Sequence, residues 1–115
     1  MPVTLYGIKN CDTVRKARRW LSDQHIAFNF HDFRSDGLDA NLLNQWIDEL
    51  GWEVLLNKRS TTWRSVPQET KETIDQSSAT TIMLKNPTVI KRPILDTGSK
   101  RIIGFSDDTY RPILS

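Results

Sequence analysis

The sequence predicts an α/β domain, a four-stranded mixed sheet covered by helices, and three observations lead there. Residues 3–33 run strand, helix, strand; residues 38–86 are mostly helical in pattern; residues 89–103 hold two short apolar runs around a turn. A strand-helix-strand series makes a right-handed crossover between parallel strands, whereas two runs around a tight turn pair antiparallel. Parallel pairs followed by a hairpin give a mixed sheet with helices over it. At 115 residues the chain suits one compact domain with a real core.

The first strand is Val3 to Tyr6, apolar and partly β-branched, with Gly7 free to turn the backbone. Val14, Ala17 and Leu21 follow at spacings of three and four, with Trp20 widening the stripe, so an amphipathic helix runs to about Gln24. In Ile26 to Phe33, Phe28 and Phe30 fall on one side and Asn29 and His31 on the other, as in a second strand. Ser35-Asp36-Gly37 is a turn. Asp39 caps the next helix, Leu38 and Leu43 are placed as a hydrophobic staple, Leu42, Leu43, Trp46, Ile47 and Leu50 line one face, and Gly51 ends it. Trp52 to Asn57 suits a further helical turn.

Asn57 to Arg64 reads as a polar, basic loop with one exposed-looking aromatic, Trp63, which either closes the core or serves a partner. Glu69 to Asp75 is weakly helical. Ala79 to Leu84 suits helix or strand, because its β-branched residues favour the latter. Val89-Ile90 and Pro93-Ile94-Leu95 flank Lys91-Arg92; Asp96 to Ser99 is a turn, and Lys100 to Ile103 returns as the hairpin partner. Ser106 or Asp107 caps a short closing helix through Tyr110, which Pro112 stops.

The only cysteine, Cys11, stands between Asn10 and Asp12 at the mouth of the first helix. Unpaired N–H groups and a partial positive charge there favour a thiolate, so Cys11 is a candidate nucleophile; the alternative is a small apolar core residue. Lys9 and Arg15 would stabilise the thiolate, and Asp12 would oppose it. In a βαβ unit the turn after the first strand lies on the ligand side, where Arg92, just before Pro93, is the first arginine expected to converge, and Arg59 the next.

One cysteine excludes an internal disulfide, and Val14 stands where a CxxC pair would have its second sulfur, so any thiol chemistry needs an external thiol. His25 and His31 lack metal-ligand spacing with Cys11, and no metal is expected. The net charge is +2, and neither a dense basic run nor an aromatic stacking series suggests nucleic acid. No apolar stretch is long enough to span a membrane, and Met1-Pro2-Val3-Thr4 passes straight into a strand pattern, so a cytoplasmic protein is expected; a monomer is expected as well.

Gly7 to Ala17, Leu50 to Arg64, Ile90 to Ile94 and Ile103-Gly104-Phe105, in that order, resemble the arsenate reductase family in the broad sense, ArsC and Spx-like, and most of all its YffB-like branch. The resemblance spans nearly the whole chain. It implies a thioredoxin-like (glutaredoxin-like) fold: a βαβ half at about 1–34, a helical insertion at about 38–86 and a ββα half at about 87–115. It also implies helix for Ala79 to Leu84 and a cis Arg92–Pro93 bond. In the glutathione-coupled arsenate reductases a cysteine attacks arsenate, three arginines surround the oxyanion, and glutathione and glutaredoxin complete the reduction. Residue by residue, the nucleophile falls on Cys11 and two arginines on Arg59 and Arg92, while Lys9, Asn10, Arg92 and Pro93 would meet glutathione. The third arginine falls near Gly104, which has no side chain; Arg101 is close by in sequence. A missing cation weighs against arsenate itself. The implied function is a glutathione-dependent thiol reductase acting on an oxidised thiol or small oxyanion, with glutathione or a glutaredoxin-like protein as partner. The alternative is a non-catalytic, protein-binding regulator like Spx, using Lys58 to Arg64 with Trp63 as anchor.

Overall fold

The structure, a computed structural model, describes residues 3–114. Four strands form one sheet in the order β2-β1-β3-β4. Strand β1 (Thr4–Gly7) runs parallel to β2 (Asn29–Asp32), with helix α1 (Asp12–Asp23) as the crossover. On its other side β1 pairs antiparallel with β3 (Ile94–Asp96), and β3 pairs antiparallel with β4 (Arg101–Ile103). This is the mixed four-stranded sheet the sequence predicts, and it matches the thioredoxin-like fold that the resemblance implies.

The chain divides into two compact units, Met1–Asp36 with Arg92–Ser115, and Gly37–Lys91. In the first, register places Leu5, Leu95 and Ile102 side by side on one face. That face packs against Val14, Ala17 and Leu21 of α1 and Tyr110 of the last helix, α8 (Asp107–Leu114). The three α1 residues are fully buried at the spacing that predicted the helix. Burying a Val or Leu side chain stabilises by roughly 1.5–3 kcal/mol, which outweighs α1's modest intrinsic preference. Gly7 lets the strand end and the helix start meet: a Cβ there would lie 2.7 Å from a Val14 methyl group. The helix ends where His25 takes the left-handed conformation, φ 58°. The Trp20 indole N–H donates to Asp107 across 2.9 Å, fastening α1 to α8.

The second unit is helical: α3 (Ala40–Leu50), α4 (Trp52–Leu55), α5 (Thr61–Arg64), α6 (Gln68–Glu72), α7 (Gln76–Lys85) and a 3-10 turn, Pro87–Val89. The Asp39 side chain caps α3 by accepting the Asn41 N–H, and Gly51, at φ 91°, ends it. Leu43, Trp46 and Ile47 are the buried face of α3, which packs with α4 and α7. Ala79 to Leu84 is helix, begun by an Asp75/Ser78 capping box.

Four local readings are corrected. The stretch 57–64 is not simply a loop: Asn57 accepts the Arg59 N–H, Ser60 Oγ accepts the Trp63 N–H, and the chain closes into α5. Trp63 is consequently buried, 7% exposed, so the exposed-looking anchor is a core residue. Val89 and Ile90 do not extend the sheet; Ile90 bridges to Leu56 inside the second unit. Strand β2 starts only at Asn29, and the turn after it begins at Phe33 as a helical turn, α2 (Phe33–Asp36), because buried Asp32 accepts the Arg34 N–H. Pro112 does not stop α8, which continues to Leu114. So near a helix end its missing N–H forfeits one bond, and its fixed φ is already helical. Ser106 does cap this helix, its Oγ accepting the Thr109 N–H.

Candidate functional site

Cys11 is the N-cap residue of α1, with extended backbone (φ −109°, ψ 125°). Its carbonyl accepts the Arg15 N–H at 2.9 Å, while its side chain makes no capping hydrogen bond. The sulfur is thus not committed to holding the helix. The residue is half-buried, packed on the edge of the sheet core, and Lys9 and Asn10 before it are exposed.

Sheet register decides what stands beside this loop. Tyr6 lies opposite Ile94, so the end of β1 that leads to Cys11 adjoins the start of β3, which Arg92 and Pro93 precede. The Arg92–Pro93 bond is cis, as the resemblance implies. Pro93 is buried and Arg92 half-buried. Ile103 lies opposite Ile94, and the Gly104 N–H donates to the Pro93 carbonyl at 2.7 Å, so Gly104 belongs to the same end of the sheet. The fold therefore gathers the Gly7–Cys11 loop, Arg92–Pro93 and Gly104. Arg59 lies in the other unit, exposed, in the turn that Asn57 closes.

Two neighbouring cations are otherwise engaged. Arg15 pairs with Asp12, so within α1 the opposing carboxylate and the supporting cation neutralise each other. Arg101 lies opposite Asp96, two residues short of Ile103, and its Nε is 3.4 Å from the Asp96 carboxylate. Arg101 thus serves a cross-strand pair away from the Gly104 end.

Sequence reasoning missed Tyr110. Its hydroxyl donates to the Gly104 carbonyl at 2.8 Å, and the Gly104 N–H holds Pro93, so a fully buried core residue braces the turn beside Arg92. Its place in the apolar stripe of the closing helix was the available signal. Burial pushes the Tyr110 phenol far above its ordinary value, and the Tyr6 phenol is raised too, by desolvation and then by Asp96, against Arg101. A raised phenol contributes stability fully below the unfolded value of about 10 and loses it as pH rises beyond that toward the folded value. Tyr110→Phe is expected to lower stability by about 1 kcal/mol at pH 7 and to flatten the decline in Tm above pH 10. Melting curves from pH 7 to 11 check both; an unchanged alkaline decline would remove Tyr110 as its cause.

Among the described residues, no group of three or more His, Cys, Asp or Glu side chains is placed to hold a metal ion, and no helix is long and apolar enough to cross a membrane.

The model of the ArsC family matches residues 6–113. A solved YFFB protein is 41% identical, with a TM-score of 0.93 over 98% of this chain and 99% of its own. An arsenate reductase (ArsC) related protein from Brucella melitensis is 44% identical, with a TM-score of 0.80 over 97% of this chain and 93% of its own. The global transcriptional regulator Spx of Streptococcus agalactiae is 31% identical over 114 residues, 97% of this chain and 82% of the regulator. With the family match spanning almost the whole described chain, and sheet and helices in the expected order, the chain belongs to the ArsC family, in its YffB-like branch.

Proposed function

We propose that the chain is a cytoplasmic, monomeric, glutathione-dependent thiol reductase with Cys11 as its nucleophile. The observation that carries this reading is the half-buried sulfur at the start of α1, free of any capping bond, at the sheet end that also holds Arg92 and Pro93. The Cys11 thiolate attacks one sulfur of an oxidised thiol; a new S–S bond forms, the old one breaks, and the departing thiolate takes a proton. A glutathione thiolate then attacks the substrate sulfur joined to Cys11; a glutathione–substrate disulfide forms, the bond to Cys11 breaks, and the Cys11 thiolate is released. Val14 is fully buried and carries no sulfur, so the second thiol comes from outside the chain. Arg92 holds a carboxylate of the incoming thiol or an oxyanion, and Lys9 and Asn10 offer exposed polar contacts from the loop before the nucleophile. Membership of the ArsC family supports the reading, and Gly104 in place of a third arginine directs it toward thiol substrates over arsenate.

The test is exposure to oxidised glutathione followed by mass spectrometry. One glutathione per chain, mapped to Cys11 and removed by reduced glutathione, is the expected result. A chain that forms no adduct under conditions that modify free cysteine refutes the reading.

The likeness to a global transcriptional regulator favours one other reading, a protein-binding regulator without catalysis. With Trp63 buried, its contacts fall to the exposed Lys58, Arg59 and Arg64. Pull-down from cell extract of one stoichiometric protein partner that survives Cys11→Ser supports it; no partner, or loss of binding on Cys11→Ser, refutes it.

A further inference from the structure

One flank of α1 carries three arginines, of which Arg15 pairs with Asp12 and Arg18 lies over an aromatic ring. Arg15, Arg18, Arg19 and Ser22 follow Cys11 at intervals of four, seven, eight and eleven residues, so they form one stripe leading away from the sulfur. With Phe28 they line a shallow depression of about 300 Å³ whose lining contains no carboxylate. The Arg18 guanidinium is already ordered, lying 4.3 Å from the centroid of the Phe30 ring. Arginines three and four apart repel one another along a helix, and cations in its first half oppose the helix dipole. Asp12, paired with Arg15, and exposed Asp23 bracket the stripe at its two ends.

We propose that this stripe docks an acidic segment of a partner protein and delivers that partner's disulfide or thiol to Cys11, an inference that rests on Cys11 being the redox residue. From Arg15 to Ser22 the helix rises about 10 Å, room for a run of two or three acidic side chains with an apolar neighbour on Phe28. A nucleic-acid backbone would run on into the bracketing carboxylates. Opposite charge would raise the rate of encounter at the head of the stripe, where the sulfur lies.

The test uses a short peptide with three glutamates beside a cysteine carried as its 2-thiopyridyl disulfide, and the same peptide with glutamines. Cys11 attacks the peptide sulfur, a Cys11–peptide disulfide forms, and the displaced thiopyridone is read by absorbance. The acidic peptide is expected to react about tenfold faster at low ionic strength, with the advantage lost by about 0.5 M salt. R18Q/R19Q should equalise the two peptides while leaving the reaction with neutral dithiodipyridine unchanged. Equal rates in the parent protein, or an advantage that survives R18Q/R19Q, overturns the proposal. If dithiodipyridine does not modify Cys11 at all, the redox reading fails instead, and docking is then judged by amide chemical shifts with a serine form of the acidic peptide. Shifts centred on residues 15–22 uphold the docking surface; no shifts, or tighter binding of single-stranded DNA to the same residues, overturn it.

Discussion

Replacing Arg92 with alanine is expected to slow the formation of the Cys11–glutathione adduct by ten- to a hundredfold while leaving the urea midpoint nearly unchanged. A hydrogen bond to a charged group contributes about 1.5–3 kcal/mol, and about 1.4 kcal/mol is a factor of ten in rate. Arg92 stands beside the Cys11 loop through strand register and is only half-buried, so its removal leaves the core intact. Arg92→Lys keeps the charge but loses the planar two-pronged donor, and should recover only part of the rate. Stopped-flow measurement with oxidised glutathione checks the series. An alanine variant that reacts at the parent rate would exclude Arg92 from the site.

Trp46→Ala is expected to act the other way, lowering stability by about 3–5 kcal/mol. Trp46 is completely buried on α3, between Leu43 and Ile47 in the helix stripe, in a chain whose whole stability should be of order 5–15 kcal/mol. Urea denaturation followed by circular dichroism gives the number. A loss below about 1 kcal/mol would mean that the helical unit closes over the missing ring.

These two substitutions also mark what the sequence made legible. Val14, Ala17 and Leu21, like Leu43, Trp46 and Ile47, repeat at helical spacing, and every one is buried. The hairpin was equally readable, since its two apolar runs flank a turn. Position along the chain was less informative where one contact decides the outcome. Trp63 sits among polar residues, and only the Asn57 and Ser60 side chains, which fold the segment into α5, explain its burial. Pro112 looked like a stop because the consequence of a proline depends on how many helical bonds lie beyond it. At the site, Cys11 stood out as a lone thiol after a strand. Arg92 was expected beside it from its place before the third strand, but the pairing itself could not be read from spacing, because β1 and β3 are some ninety residues apart in the chain and meet only through register. Tyr110 escaped for the same reason: the carbonyl it holds belongs to a turn shaped by the sheet.

The absence of any capping bond from the Cys11 side chain has a consequence for how this position is exchanged. Serine, aspartate and asparagine are the residues a helix start prefers, and each would satisfy a backbone N–H that the thiol leaves to other partners. Cys11→Ser is therefore expected to be more stable than the parent, by about 0.5–1 kcal/mol in the urea midpoint, while forming no glutathione adduct. Position 11 holds a residue inferior as a structural element, and derivatising its sulfur takes nothing from the helix: reactivity and architecture are uncoupled at that one atom, at the expense of a sturdier protein.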